Sequence, residues 1–159
     1  MSNEIKPIKR SKELAPLSRE HHEGLLLGWK INQGLKNGTD HQLIAQYIQR
    51  FWDNELSDHF KKEEQVLAIH LPPNNVLVIK MVADHEEIEA LIRVIAMIPD
   101  EAAFTQLAEV LSNHIRFEER ELFPFAEKAI AAETLAAIQQ VLEEKKAVLK
   151  WDNEFWIRK

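Results

Sequence analysis

The chain has 159 residues, a hydrophobic fraction of 45% and a charged fraction of 29%, which are typical of one globular domain and exclude a disordered or membrane-embedded protein. Its formal net charge of −6 argues against nucleic-acid binding, and its apolar runs are too short to span a membrane. Cysteine does not occur, which excludes disulfides and thiolate metal sites and leaves imidazole and carboxylate as the strong metal ligands. With no apolar leader segment either, we expect a cytoplasmic protein.

Proline, glycine and asparagine divide the chain into segments of helical periodicity, and no segment alternates with the two-residue period of a β-strand over a useful length. Thr39 is the expected N-cap of the second helix, and Asn74 or Asn75 is that of the third. The predicted helices cover residues 16–36, 40–70, 76–98 and 101–128, and a weaker fifth helix covers residues 132–149.

Four helices joined by short turns are expected to pack as an up-down-up-down bundle. The predicted fold class is therefore all-α, a four-helix bundle with a short fifth C-terminal helix. The corresponding domains are a lead-in over residues 1–15, the bundle over 16–128, and a C-terminal helix and tail over 129–159. The lead-in carries a short basic arm, expected to be a solvated tail, that consists of Lys6, Lys9, Arg10 and Lys12.

Two segments repeat one pattern, HFKKEEQVL at residues 59–67 and HIRFEERELF at residues 114–123. Each segment places a glutamate four residues after a histidine. Because residues four apart lie on one face of a helix, each segment directs an imidazole and a carboxylate into the same space. The residues of the two pairs are His59, Glu63, His114 and Glu118.

A further histidine precedes each repeat on a neighbouring helix, namely His21 and His85. Each of these histidines lies about 13 to 21 residues from the loop that joins its helix to the next. For two neighbouring helices, the distances from the shared loop differ by no more than about one helical turn. In antiparallel helices the histidines therefore converge on one level of the bundle. Four histidines and two carboxylates at one level predict a site for two metal ions.

The alternative explanation is a satisfied polar core or an acid-rich helical surface, since glutamate is frequent in this chain. Against it, His59, His85 and His114 occupy positions in otherwise apolar stripes, and Glu63 and Glu118 do so one turn later. An unpaired buried carboxylate commonly costs several kcal/mol, and metal coordination is a main way to offset that cost. The combined pattern therefore favours a shared metal site.

The ordered set His, His-x-x-x-Glu, His, His-x-x-x-Glu on four helices resembles the hemerythrin-like, or HHE cation-binding, family. The segments LSREHHEGLLLGWKINQGLK and FWDNELSDHFKKEE are similar to its bacterial members, and the resemblance covers roughly residues 14–128. It implies a non-haem di-iron centre with two bridging glutamates. The terminal ligands it implies are His21, His59, His85 and His114, and the bridging carboxylates are Glu63 and Glu118.

Three positions depart from the family pattern or leave it open. The oxygen carriers of the family have a further histidine where this chain has Glu89, which is either a solvated charge or a weak ligand or pocket acid. They also place the last carboxylate where this chain has Glu119; we prefer Glu118, which repeats the earlier spacing, and expect Glu119 to point outward. His21 is preferred to His22 because it shares a helix face with apolar residues, and His22 would otherwise lie at the rim of the site.

Other side chains have expected structural roles. Trp29 and Trp52 are predicted core residues, His41 a surface residue, and His70 a capping group at a helix end. Apolar residues expected to form a dry pocket beside the metal ions are Leu25, Trp52, Ile88 and Leu111. Tail residues that either pack on the bundle, which we favour, or form a surface for a partner are Trp151, Phe155 and Trp156.

The resemblance implies a cofactor of two iron ions, for which zinc or another divalent metal would be a substitute. The expected function is binding or sensing of a small diatomic ligand, oxygen or nitric oxide, or the handling of iron. Because no catalytic acid or base stands out apart from Glu89, His22 and the ligands, binding is favoured over catalysis. The alternative is a di-iron redox enzyme, such as an oxidase, a scavenger of peroxide or nitric oxide, or a repair factor for iron centres. No nucleic-acid or membrane partner is expected, and a homodimer is compatible with the chain.

Overall fold

The computed structural model describes residues 9–144 and 150–158, and within them it confirms an all-α protein without strands. Helices α1 and α5 contact each other, as do α5 and α4, α4 and α2, and α2 and α1, so the helices surround a common core. No helix among the described residues is long and apolar enough to cross a membrane. The α-helices are α1 Ala15–Lys36, α2 His41–Phe51, α3 Ser57–Lys62, α4 Val76–Met97, α5 Glu101–Phe117, α6 Phe123–Ala129 and α7 Ala132–Leu142.

The second predicted helix is one continuous rod, but it is not a regular α-helix. Two π-helical turns, Trp52–Leu56 and Glu63–Leu67, flank α3, and a short 3₁₀ turn at Ala68–His70 ends the rod. A third π-helical turn, Glu118–Leu122, lies between α5 and α6 in the fourth predicted helix. The hydrophobic periodicity correctly predicted these two long helical segments. It could not distinguish a π-helical turn, which contains one extra residue, from a regular α-helical turn.

The helix starts were predicted only in part. Asp40 caps α2, because its side chain accepts a hydrogen bond from the backbone N–H of Gln42 at 2.7 Å, so the prediction of Thr39 is wrong. Asn75 caps α4 in the same way by accepting from Leu77 at 2.8 Å, which selects it over Asn74. A short polar side chain directly before the first helical residue satisfies an otherwise unpaired N–H group in both cases.

Two apolar clusters fill the bundle. They lie on either side of a layer of buried polar side chains, which we call the polar layer and which consists of His21, His59, Glu63, His85, His114 and Glu118. Along α1, Leu17 belongs to one cluster and Leu27 to the other, and His21 lies between them. The same order recurs along α4, where His85 separates Met81 from Ile88. Apolar side chains therefore cover the polar layer on both sides along the bundle axis.

The N-terminal arm is only partly the solvated tail that was predicted. Lys9 and Lys12 are exposed, but Arg10 is nearly buried and donates to the carboxylate of Glu127 at 2.8 Å. Leu14 is fully buried in the apolar core, and Lys6 lies outside the described residues. The prediction for Arg10 is wrong because the arm runs alongside α6, where Glu127 provides a partner.

The C-terminal segment packs on the bundle, as predicted. Phe155 is buried against Gly34, where a Cβ atom would lie only 2.7 Å from the phenylalanine ring. Trp151 and Trp156 both contact the ring of Tyr47, at centroid distances of 5.2 and 5.3 Å. Helix α7 ends at Leu142, earlier than predicted, and the rest of the predicted fifth helix falls largely on residues 145–149, outside the described part.

Two predictions of burial are wrong. Trp29 is 50% exposed and Leu25 is 43% exposed, so neither belongs to the core. Both lie on the outer face of α1, beside a shallow groove against α5, because the close approach of Gly28 to Ala108 leaves them outside the contact. Trp52 is half-buried and packs on Phe60 at a ring distance of 5.7 Å.

Candidate metal centre

The six residues predicted as metal ligands lie together in the polar layer. Each is at most 4% exposed, and the two glutamates are fully buried. His22, the alternative to His21, is exposed on the outer side of α1. The six residues come from all four rods of the bundle: His21 from α1, His59 from α3, His85 from α4, His114 from α5, and Glu63 and Glu118 from the π-helical turns.

The polar layer contains two groups of potential ligands that share both carboxylates. In each group, four ligand atoms lie within 4.8 Å of one another. The first group adds His21 and His59 to Glu63 and Glu118. The second group adds His85 and His114 to the same two carboxylates.

Short distances connect the Nε2 atoms of the histidines to the shared carboxylates. Glu63 Oε1 lies 3.0 Å from His85 Nε2 and 3.2 Å from His59 Nε2. Glu118 Oε1 lies 2.9 Å from His21 Nε2 and 3.1 Å from His114 Nε2. Each carboxylate therefore lies between one histidine of the first group and one histidine of the second.

A π-helical turn begins at each shared glutamate. The carbonyl of Glu63 accepts from the N–H of Ala68, five residues later, and the carbonyl of Glu118 accepts from Phe123 in the same way. Between the histidine and the glutamate of each pair the backbone is a regular α-helix, which keeps the two side chains on one face. Single π-helical turns of this kind often occur at functional sites.

Four further carboxylates, none of them among the predicted ligands, accept hydrogen bonds from the outer nitrogens of the histidines. Each histidine donates from Nδ1 to one of them, and this leaves Nε2 directed at the centre of the layer. The Nδ1-to-oxygen distances are 2.7 Å for His21 to Glu119, 2.9 Å for His59 to Glu20, 2.8 Å for His85 to Glu64, and 2.9 Å for His114 to Asp84.

The prediction that Glu119 points outward is wrong. Its side chain is 26% exposed, and in addition to His21 it accepts a hydrogen bond from Ser18 at 2.8 Å. All four outer carboxylates are neighbours in sequence of a predicted ligand, which was a signal in the chain. Each nevertheless bonds to a histidine on a different rod, and that pairing depends on how the rods pack.

The carboxylates shift the pKa values of the histidines in the protein without a bound cation. Burial by itself would lower the pKa of His85, but the nearby carboxylates of Glu118 and Glu63 outweigh burial and raise it to about 10. Burial opposes the shift at His114 as well, where the charge of Glu118 and the hydrogen bond to Asp84 raise the pKa to about 9. Protons therefore occupy the imidazoles until a cation replaces them.

The pKa values of the two shared carboxyl groups shift in the opposite direction. Burial would raise the pKa of Glu63, but the charge of His59 and hydrogen bonds to the histidines hold it well below its usual value. The pKa of Glu118 is also lowered, although burial and the charge of Glu63 both oppose this. Both groups are thus carboxylates, the form that binds a cation.

Unsatisfied polar atoms test whether these residues fit a bound metal. Four buried atoms in the layer make no well-aligned hydrogen bond within the described part of the chain, although both nitrogens lie near a carboxylate oxygen: His59 Nε2, His114 Nε2, Glu63 Oε2 and Glu118 Oε2. Buried polar atoms are nearly always paired, and an unpaired one costs about 1–3 kcal/mol. All four belong to the two groups described above, so the donor set fits cations at the centre of the layer.

Aromatic rings shield the histidines from the sides. Phe60 stacks on His85 with ring centroids 3.8 Å apart, and Phe123 stacks on His21 at 5.2 Å. Of the predicted dry pocket, Ile88 and Leu111 are buried as expected, whereas Leu25 is exposed. A groove of about 840 Å³ leads from the surface to His59.

Glu89 is not part of either group. It accepts a charge-assisted hydrogen bond from Arg93 at 2.7 Å on the outside of α4, and its side chain is 37% exposed. The interpretation of Glu89 as a solvated charge is therefore correct. His41 and His70 are exposed, His41 as predicted and His70 at the end of the second rod.

The outer carboxylates provide a direct test of the site. Glu64→Gln keeps the size of the side chain but removes the charge that orients His85, so we expect the metal affinity to fall about 10- to 100-fold. Competition with a chelator of known affinity measures this change. Glu89→Gln is the matched control, because it removes a carboxylate four residues after His85 that lies outside the site. Equal affinities for the two variants would contradict a role for the outer carboxylates.

Four rods that enclose a layer of histidines and shared carboxylates define this chain as a metal-binding helical bundle. The hemerythrin HHE cation binding domain matches residues 12–126, most of the chain. The chain therefore belongs to this hemerythrin family, as the order of its motifs predicted. Comparisons with curated proteins and with solved structures found no match.

Proposed function

We propose that the protein binds two iron ions in the polar layer and uses them to bind or sense oxygen or nitric oxide, or to handle iron. His21 and His59 would hold one ion, and His85 and His114 the other. The observation that carries the proposal is that Glu63 and Glu118 belong to both ligand groups. A carboxylate shared by two groups of histidines suits a pair of bridged ions better than one ion.

Iron is preferred to other metals because of the family and the ligand types. Imidazole and carboxylate are both suitable ligands for iron. Zinc and copper also bind imidazole and could take the place of iron. Each group offers four protein ligands, fewer than the six that iron commonly takes, so a small molecule could bind as a further ligand. When bound, the irons would supply redox chemistry and an open coordination position.

The surroundings of the layer favour a small ligand. Phe60, Phe123, Ile88 and Leu111 are apolar and limit entry of water. A diatomic molecule needs no polar contact beyond the metal itself, so such walls would admit it. Glu89 points away from the layer, and the second group therefore has only two histidines among the described residues, which favours sensing or iron handling over oxygen transport.

We also propose a cytoplasmic location, where a reducing environment would keep the ions ferrous.

Anaerobic loading with ferrous iron, followed by mixing with nitric oxide or oxygen, tests the proposal. We expect about two irons per chain by elemental analysis, and a change in the ultraviolet–visible spectrum on mixing with either gas. Continuous turnover of peroxide or nitric oxide under reducing conditions would instead indicate the di-iron enzyme. Purification with zinc alone and no spectral response to either gas would contradict both.

A further inference from the structure

The outer face of α4 is unusually apolar for a helix on the surface of a bundle. Half of the large hydrophobic side chains that are exposed among the described residues lie on α4 or directly after it. Helix α5, by contrast, exposes Glu101, Gln106, Glu109, Asn113 and Arg116. A helix that is apolar on its outer as well as its inner face is normally buried on both.

Six of the exposed apolar residues share one side of the helix, and we call them the α4 stripe, which Glu86 and Glu87 flank at its centre. Successive members are three, four or seven residues apart, which keeps them on one side of an α-helix. Val76 is 75% exposed and Met97 is 83% exposed, so the ends of the stripe project most strongly. The stripe consists of Val76, Ile79, Ala83, Ala90, Val94 and Met97, all of them exposed.

The α4 stripe is symmetric about the midpoint of the helix, between Glu86 and Glu87. Val76 and Met97 are equally far from that point, and the same holds for each of the other two pairs. The large side chains lie at the ends, and the two alanines lie next to the centre. The remaining pairs are Ile79 with Val94 and Ala83 with Ala90.

We propose that the α4 stripe is a homodimer interface, in which α4 packs antiparallel against α4 of a second copy. A two-fold axis at the midpoint would place Val76 level with Met97 of the other copy, and Ala83 level with Ala90. Isologous interfaces need this self-complementarity, whereas a different partner does not. The two alanines allow the helix axes to approach closely at the centre, and the larger residues interlock on either side.

The charges beside the stripe favour a second copy over a membrane. Interfacial helices normally present lysine or arginine toward anionic lipid. On α4, Lys80 is paired with Asp84 at 3.2 Å and Arg93 with Glu89 at 2.7 Å, so both cations are already neutralised. The exposed side chains at the centre, Glu86 and Glu87, are acidic.

The size of the interface predicts a moderate affinity. Four large and two small exposed side chains per copy make a small interface, at or below the lower limit of about 1,200 Å² for specific interfaces. In the two-fold arrangement, Glu86 is level with Glu87 of the second copy, and this repulsion opposes association. We therefore expect a dimer that dissociates at micromolar concentrations, with a Kd on the order of 10 μM.

Sedimentation velocity over a range of concentrations tests the association with the full chain. We expect Ile79→Glu to raise the Kd at least 10-fold and Glu87→Gln to lower it several-fold. Leu25→Glu is the matched control, because Leu25 is a similarly exposed apolar residue on the outer face of α1, and its Kd should not change. A wild-type chain that remains monomeric at about 500 μM overturns the proposal and assigns the stripe to another partner.

Disulfide trapping tests the register independently of any loss of folding. The chain has no cysteine, so Ala83→Cys and Ala90→Cys each introduce a single thiol. A mixture of the two variants should form a cross-linked dimer on mild oxidation, because the two positions are level across the axis. Either variant alone should cross-link much more slowly, since its own thiols are about 10 Å apart along the helix. Equal cross-linking in all three samples overturns the antiparallel register.

Discussion

Glu63→Ala should reduce the proposed complement of about two iron ions per chain to one or none. The reason is that Glu63 is a member of both ligand groups, so its removal takes a donor from each ion position at once. Loss of any one histidine removes a donor from one group only. Elemental analysis of the purified, iron-loaded variant measures the effect, and any ultraviolet–visible absorption that bound iron gives the unmodified protein should weaken accordingly.

The same rod provides a control for that substitution. Gln65 lies in the same π-helical turn but is exposed, so Gln65→Ala should retain both ions. The near-symmetry of the site also predicts that Glu118→Ala behaves like Glu63→Ala. If Glu63→Ala binds two irons with unchanged affinity, the shared-carboxylate arrangement is refuted, provided that circular dichroism shows a folded helical protein.

Removal of the metal should lower the melting temperature by roughly 10 °C at neutral pH. A ligand at about 1,000 times its Kd stabilises a folded protein by about 4 kcal/mol, provided that it does not bind the unfolded chain. For a domain of 150–250 residues, each kcal/mol shifts the melting temperature by about 2–4 °C. Calorimetry of the iron-loaded and the chelator-treated protein measures the difference. Equal melting temperatures would show that the layer holds no stabilising cation.

This difference should widen as the pH rises. A histidine whose pKa is raised on folding stabilises the metal-free protein fully below its unfolded pKa of about 6.5, and loses that contribution as the pH rises through the folded pKa. The folded values are about 9 for His114 and about 10 for His85. The metal-free protein should therefore lose stability from about pH 6.5 to 10, whereas cations hold these histidines deprotonated in the loaded protein.

In the acidic pH range, the buried glutamates make the stability of the metal-free protein change with pH in the opposite direction. The pKa of Glu63 is held well below its usual value, so its contribution to the metal-free protein is present above the unfolded pKa and is lost only as the pH falls through the folded pKa. The metal-free protein should therefore be most stable in mildly acidic solution. A scan of melting temperature from pH 5 to 9 in roughly one-unit steps distinguishes this from a metal-free protein that is most stable above pH 8.

Much of the site could be predicted because its signals are local. The spacing of His59 from Glu63, and of His114 from Glu118, determines which side chains share a helix face. Together with short turns, that periodicity also predicted that the histidines of different rods are level, and in the structure they lie in one layer. The exposure of Trp29 could not be predicted, because an aromatic residue at helical spacing lies inside or outside according to how closely α1 approaches α5.

The all-α class, the helical segments and the two repeated pairs of histidine and glutamate could be read from the amino-acid order alone, because each depends on residues within a turn or two of one another. The family could be read in the same way, because it depends on the order of these motifs along the chain. The pairing of each outer carboxylate with its histidine, in contrast, depends on how the helices pack. Glu20 is next to His21 in the chain but bonds to His59, and Glu119 follows Glu118 but bonds to His21. Such pairings join atoms of different rods, and their distances depend on the depth, rotation and π-helical turns of those rods once packed.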